Sequence, residues 1–289
     1  MDSRELGLNL VQQLTGVEDL HYGFWDEDDK PSLLKFFDAQ KRYSKFVFSN
    51  IKEVIDDPSS ARVLDVGCGT GVMLAELLGE GYKVDGLIPA AHLREQVEKR
   101  LEGVNSEYEP VIYECKFEEF PESERKRQYD LVFFSESFQY IPMKESFKVL
   151  SSILKDSGSI LICDFFRSVN HGDGGVGDKS FGGGHPIGEF EELIKEKEYT
   201  VLKRIDITKN VSPNIELVYG ALTDKVGPAL GTLDTYLSKR YPFIYKALLF
   251  FTKKKRKKLN YKYFSGLRNK ETFERYKTYQ LVVLGRNGL

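Results

Sequence analysis

Cysteine is scarce in this chain. There are three in 289 residues, Cys68, Cys115 and Cys163, widely spaced and without a Cys-x-x-Cys pair. An odd, dispersed set of thiols excludes a disulfide scaffold and a zinc site, and fits a reduced, cytoplasmic protein with no bound metal. Long hydrophobic runs are missing too. The densest, Ala247–Phe251, is far short of the roughly 20 residues that cross a bilayer. The start, Met1–Glu5, lacks the basic-then-apolar order of a secretory leader. What is present, 41% hydrophobic and 30% charged residues, is usual for a soluble folded chain and excludes wholesale disorder or a collagen-like structure.

The formal net charge of -2 conceals an asymmetry. Residues 239–289 hold 15 Lys and Arg against 2 acids, so the remainder of the chain is strongly acidic. A split of this kind points to an anionic partner for the basic end, or to docking of that end on the acidic body.

Periodicity divides the chain. Leu33, Leu34, Phe36, Phe37, Tyr43, Phe46, Val47 and Ile51 recur at three- and four-residue spacing and predict a helical cap over residues 1–57. Beyond Pro58, short apolar runs alternate with helical ones. Strands are expected at 61–66, 82–87, 111–115, 131–134, 159–163, 200–208 and 279–284. Helices are expected at 72–78, 92–101, 144–154 and 187–197. This alternation predicts a mostly parallel sheet covered by helices on both faces. Residues 168–186 carry seven glycines and are expected to form a mobile segment beside the site. The core should span 58–211, with the last strand within 279–289. Between them, 212–278 is far longer than a sheet connection needs and reads as an inserted helical lid.

The most informative segment is Val63-Leu-Asp-Val-Gly-Cys-Gly-Thr-Gly71. An apolar strand runs into three alternate glycines and then a helix, so the backbone can turn sharply and a ligand can lie against it. The order Asp-x-Gly-x-Gly-x-Gly differs from the dinucleotide fingerprint. It resembles the first motif of class I S-adenosylmethionine-dependent methyltransferases. The likeness covers roughly residues 60–165. It includes Tyr129–Ser137 as a fourth strand, Leu154–Gly158 as a turn and Ile160–Phe166 as a fifth strand. The layout is most similar to small-molecule members of the tocopherol, sterol and sarcosine type.

That resemblance implies a Rossmann-like seven-stranded α/β fold and S-adenosylmethionine as cofactor. Asp65, Gly67, Cys68, Gly69 and Gly71 would hold its methionine part. Two positions depart from the family pattern. Ile88 stands where an acid usually holds the ribose, leaving backbone groups of Leu87, Ile88 and Pro89 for that contact. Phe117 and Glu118 occupy the adenine-contacting position, or are respectively core and solvated. Ser135 and Tyr43 are further cofactor candidates.

Ligands of open α/β sheets bind beyond the carboxyl ends of the strands. Methyl transfer is an in-line displacement, and an acidic acceptor must lose a proton. Asp164 is the first candidate base, or else a cap or a partner for Arg167; Glu136, His171 and His185 are others. Gln139 and Tyr140 would orient the acceptor or begin a helix. Tyr22 and Trp25 would line its pocket or pack as core. The acceptor expected is a hydrophobic or amphipathic small molecule. A carrier-bound or RNA acceptor, and a non-catalytic cofactor-binding module, are the alternatives. The acidic body and the absence of Asn/Asp-Pro-Pro-aromatic and Pro-Cys motifs argue against nucleic acid. Finally, the apolar stretch Tyr241–Phe251 precedes six consecutive basic residues, Lys253–Lys258. This is the pattern of a peripheral contact with an anionic membrane, of a site for an acidic carrier protein, or of a solvated loop over the protein's own acidic core.

Overall fold

A computed structural model describes residues 21–221, 223–224 and 227–286. The first 20 residues of the expected helical cap lie outside that range. Helix α1 (Phe36–Val54) follows a short turn at Leu33–Lys35 and buries Ala39, Tyr43, Val47, Phe48 and Ile51, residues three or four positions apart. The chain then alternates: β1 (Arg62–Val66), α2 (Val72–Gly79), β2 (Lys83–Leu87), α3 (Ala91–Leu101), β3 (Ile112–Tyr113), β4 (Tyr129–Ser135), α4 (Met143–Ile153), β5 (Leu154–Arg167), α5 (Ile187–Glu196) and β6 (Tyr199–Asp206). Four helices and a longer hairpin helix follow: α6 (Thr208–Val211), α7 (Pro213–Ala221), α8 (Gly227–Arg240), α9 (Pro242–Tyr263) and α10 (Lys270–Tyr276). The last strand is β7 (Lys277–Arg286).

The seven strands lie in the order β3-β2-β1-β4-β5-β7-β6. All neighbouring pairs are parallel except those of β7, which runs antiparallel to β5 and β6. This is the mostly parallel, helix-covered sheet expected from the alternation. Central strands such as Leu131–Phe134 are continuously apolar because both faces are covered. On one face, Val63, Val84, Leu131, Leu161 and Tyr279 pack under α1, α2, α3 and α10. On the other, Leu64, Val132, Phe134, Ile160 and Ile162 pack under α4 and α5.

Three local expectations are corrected. The third strand is only Ile112–Tyr113, not 111–115. Leu154–Gly158 is no separate turn: β5 starts directly after α4, with Tyr129 opposite Leu154 and Leu131 opposite Ser159, so the intervening residues bulge out of the ladder. The glycine-rich stretch 168–186 has no helix or strand, but it is tied down rather than loose. Asp178, Ser180 and Phe181 are buried. Asp173 receives Arg275 at 2.7 Å and the Tyr276 hydroxyl at 3.0 Å, and Lys277 donates to the Gly183 carbonyl at 2.6 Å.

Two buried polar residues hold distant segments together. Asn214, fully buried on α7, uses its whole amide. Its nitrogen donates to the carbonyls of Gly23 and Val211, and its oxygen accepts from Gly23 N and Trp25 Nε1. At the opposite end of the sheet from the glycine loop, the Asp85 carboxylate is 0% exposed. It accepts from Arg62 (2.7 and 2.9 Å), Tyr108 Oη (2.8 Å), Tyr129 Oη (2.8 Å) and Val111 N (3.0 Å). It thus joins β1, β2, β4 and the approach to β3.

Replacing Asp85 by Asn keeps its volume but leaves the Arg62 guanidinium without its buried counter-charge. Such removal costs about 3–5 kcal/mol. Urea unfolding should show a loss of that order with the slope unchanged; a loss under about 1 kcal/mol would mean that the cluster does not hold the strands.

Candidate active site

The site begins where β1 ends. Gly67 and Gly69 have φ of +79° and +57°, a left-handed backbone that residues with a Cβ rarely adopt. A Cβ at Gly67 would also stand 2.5 Å from the Ser137 Cβ. That close approach is fixed by the Ser137 hydroxyl, which donates to the Val66 carbonyl. Gly67 N and Cys68 N donate to the Leu87 carbonyl at 2.8 and 3.2 Å, so the loop is stitched to the end of β2. Gly69 differs: a Cβ there would meet nothing within 4 Å. The space beside it is open.

Asp65 is buried just before this loop, and among the described residues no donor or cation pairs with it. Burial alone pushes its carboxyl up to about 8. A buried acid without a partner, next to open space, is suited to receive a cationic group of a ligand.

A second group of residues gathers past β4. Glu136 has φ +54°, unusual for a residue with a side chain. Its N–H donates to the Cys163 carbonyl at 2.9 Å. Its Oε1 accepts from Tyr22 N at 2.7 Å and from the Tyr279 hydroxyl at 2.8 Å. The Tyr279 hydroxyl lies 2.8 Å from that of Tyr43, which in turn reaches Ser135 Oγ and the Cys163 carbonyl, both at 3.3 Å. Burial first, and then neighbouring charge, raises both phenols, so they remain protonated donors. The Tyr22 ring meets Tyr279 and Phe273 edge-on.

Asp164 is 1% exposed and also raised to about 8 by burial. Its oxygens are engaged within the protein. One accepts from Gln139 N at 2.9 Å; the other accepts from Gln139 Nε2 at 3.0 Å and Phe165 N at 2.8 Å. This carboxylate holds the turn Phe138–Tyr140. His185 holds the same turn, with Nε2 3.0 Å from the Phe138 carbonyl and its ring edge-on to Phe138. Burial lowers its basicity. Lys277 is buried over the Phe165 ring; burial and then the charges of Arg167 and Arg268 depress its ammonium to about 8.

The remaining candidates scatter. Leu87 and Ile88 are buried at the end of β2, and Ile88 N donates to the Tyr113 carbonyl; Pro89 is exposed. Cys68 is buried, and burial raises its thiol. Phe117 lies in the core against Phe120 and Phe134, while Glu118 is half-buried. Trp25 is 1% exposed and bonded to Asn214, so it belongs to the packing between the N-terminal segment and α7. Tyr140 is exposed. His171 is half-buried, and burial lowers its basicity, with Lys277 adding to the effect. Arg42 turns to Asp29 and the Phe24 carbonyl. Among the described residues no cluster of three His, Cys, Asp or Glu is arranged as metal ligands. The sequence reading missed Tyr279, Ser137 and Lys277. Tyr279 and Lys277 lie at the start of an apolar strand, where the polar run Lys277–Gln280 before Leu281–Leu284 was the only signal.

Comparison with known proteins gives consistent findings. The family model described as "Methyltransferase domain" matches residues 39–209. No curated protein matches significantly. Among solved structures, similar folds include three of low identity. A putative sarcosine dimethylglycine methyltransferase from Galdieria sulphuraria has 17% identity and a TM-score of 0.69, covering 96% of each chain. The geranyl diphosphate C-methyltransferase of Streptomyces coelicolor A3(2), solved with Mg2+, geranyl diphosphate and S-adenosyl-L-homocysteine, has 13% identity and a TM-score of 0.65. That match covers 96% of this chain and 92% of the other. The [4+2]-cyclase SpnF has 14% identity and a TM-score of 0.66, covering 98% and 94%. At these identities the likeness is one of fold.

The raised carboxyls give a signed pH effect. Asp65 and Asp164 bind a proton in the folded state up to about pH 8, whereas an unfolded Asp loses it near pH 4. Folding therefore takes up protons between those values, and stability falls as pH rises through the window, by at most about 1.4 kcal/mol per pH unit for each group. Asp65→Asn should make the pH dependence of the denaturation midpoint shallower and leave Asp164's share. An unchanged slope would show that Asp65 is ionised in the fold.

Proposed function

Because the chain belongs to the methyltransferase-domain family, we propose that it transfers a methyl group from S-adenosylmethionine to a hydrophobic or amphipathic small molecule. The observation that carries this reading is the pairing of open space at Gly69 with the buried acid Asp65, which has no partner among the described residues. A cofactor with an α-ammonium and a flat, extended body suits both. Asp65 would hold the ammonium, the N–H groups and open face of the Gly67–Gly71 loop the methionine part, and backbone groups at Leu87–Pro89 the ribose, since Ile88 offers no carboxylate. When bound, S-adenosylmethionine supplies an electrophilic methyl group on a sulfonium.

The chain's own residues supply placement and proton handling. Glu136 stands at the carboxyl end of β4, beside the break in strand order between β1 and β4, where open sheets bind ligands. Its strained backbone is held by Tyr22 and Tyr279, and strain kept in this way is common at functional sites. Glu136 is therefore the preferred group to orient the acceptor and accept its proton. Asp164 and His185 are better suited to keep the turn Phe138–Tyr140 in position, because their polar atoms are already bonded to it. Tyr22, Phe165 and Tyr279 supply aromatic surface, and Lys277 and Arg268 positive charge, which together suit an amphipathic acceptor with an anionic end. A lipid-like acceptor, met at an anionic surface or on an acidic carrier protein, fits the basic helix α9. The extended helical insertion between β6 and β7 would cover the bound acceptor.

Calorimetric titration with S-adenosylmethionine and S-adenosylhomocysteine tests the reading. The wild type should bind both. Asp65→Ala should weaken binding by about 10- to 100-fold, the worth of a charge-assisted hydrogen bond, and Gly69→Val should abolish it. A wild type that binds neither would overturn the proposal. With an acceptor drawn from fatty alcohols, phenols and amines, Glu136→Gln should lower single-turnover methyl transfer by about 10²- to 10⁴-fold while cofactor affinity holds. An undiminished rate would remove Glu136 from proton transfer.

A further inference from the structure

The hairpin α8–α9 cannot be explained as ordinary outer helices of the domain. Outer helices bury one face against the core. Here no described side chain on Gly227–Arg240 or Pro242–Tyr263 is buried. The two helices face each other through Asp234, which accepts from Arg256 at 3.3 Å and from Tyr245. The half-buried Leu249 and Thr252 lie on the same side of α9. Elsewhere among its described residues α9 presents large apolar groups to solvent: Phe243 at 86% exposure, Ile244, Leu248, Phe250 and Phe251 at 82%.

At 3.6 residues per turn these groups form two adjoining stripes. Phe243, Ala247 and Phe250 make one, which Lys254 continues. Ile244, Leu248 and Phe251 make the other, which Lys255 continues. The first half of the helix is therefore apolar over a broad face, and the next turns are cationic over the same face. Along its length α9 carries eight Lys and Arg and no acid. Lys239 and Arg240 add two exposed cations at the tip of the hairpin. An exposed apolar patch of this kind marks an interaction surface, and the uniform positive charge around it selects an anionic partner.

We propose that the α8–α9 hairpin is a peripheral docking element for anionic lipid surfaces. Phe243, Ile244, Leu248, Phe250 and Phe251 enter the boundary between headgroups and acyl chains, while Lys253, Lys254, Lys255 and Lys257 bind lipid phosphates and carboxylates. The helix lies on the surface. Among the described residues no helix is long and apolar enough to cross a membrane, and α9's basic half could not enter one. A lipid surface fits better than a folded protein partner because the apolar groups are large and stand exposed side by side along a helix, with cations next to them, which a fluid anionic interface accommodates without a matching pocket. The inference stands independently of the methyl-transfer reading, since neither Asp65 nor the glycine loop takes part in it.

Flotation of the whole protein with vesicles tests it. The wild type should float with phosphatidylcholine vesicles containing phosphatidylserine, and much less with phosphatidylcholine alone. Replacing Lys253, Lys254, Lys255 and Lys257 by Gln should reduce the partition coefficient by about a hundredfold or more, given the worth of each cation near an anionic surface. Replacing Phe243, Phe250 and Phe251 by Ser should reduce it by about tenfold or more. All seven side chains are exposed, so both variants should keep wild-type circular dichroism and wild-type calorimetric response to S-adenosylmethionine. Flotation of both variants at the wild-type level would overturn the proposal, as would a wild type that floats with neither vesicle. So would sedimentation of the wild type as a dimer that the Phe variant dissociates without any vesicle binding, which would assign the face to a second copy. Binding to immobilised polyglutamate but to no vesicle would assign it to an acidic protein and overturn the proposal equally.

Discussion

The buried chain of hydroxyls from Tyr43 through Tyr279 to Glu136 is the contact on which the site depends. It brings together helix α1, strand β7, the residue after β4 and, through Tyr22 N, the segment that precedes α1. The N-terminal segment with α1, the residue after β4, and β7 are far from one another in the chain. A carboxylate in such a place needs donors; the Tyr279 hydroxyl and the Tyr22 amide supply them at Oε1, and Tyr43 supports Tyr279. The network thereby fixes the φ of Glu136 in a region its side chain disfavours. At the other end of the sheet Asp85 has the complementary task. It anchors the starts of β1, β2 and β4, so that their carboxyl ends are left to serve the ligand.

Much of this was readable beforehand because it is local. Three glycines at alternate positions after an apolar strand demand a left-handed turn wherever they occur, and Gly67, Gly69 and Gly71 all adopt it. Strand and helix periods likewise announced the sheet and its covering. What escaped the reading was set by contacts across long separations. Glu136 and Tyr279 stand 143 positions apart, and nothing in either neighbourhood announces the other. The bulge after α4 escaped for a related reason: Lys155–Gly158 has turn composition, and only the pairing of β5 with β4 draws it into the strand. The glycine-rich stretch was misjudged because its anchors, Lys277, Arg275 and Tyr276, belong to the far end of the chain. For Asp164 the sequence offers a base or a cap, and only the fold brings its oxygens onto Gln139, in the turn after β4.

Charge follows a consistent plan. Burial raises the carboxyls of Asp65 and Asp164 to about 8. Burial, with Arg167 and Arg268 nearby, depresses the ammonium of Lys277 to about 8. The buried ion pair of Asp85 with Arg62 lies away from the glycine loop, and the hairpin carries exposed cations. A fold shared with both methyltransferases and a cyclase does not by itself select a reaction. In this chain the proposed reaction rests on the glycine loop and on Asp65, which has no partner among the described residues.

The position of β7 has a consequence for synthesis. It lies between β5 and β6, yet it follows the entire helical insertion from Ile207 to Tyr276. While the ribosome is still making that insertion, β5 and β6 are already outside the exit tunnel with no strand between them. Each presents an open edge of backbone amides and carbonyls, the kind of edge that invites pairing with another chain. The nascent protein must therefore wait through the whole of the insertion before its sheet can close. A chaperone that shields those two edges, or slow synthesis that lets the first four strands settle beforehand, would raise the yield of correctly folded product more than any change to the site itself.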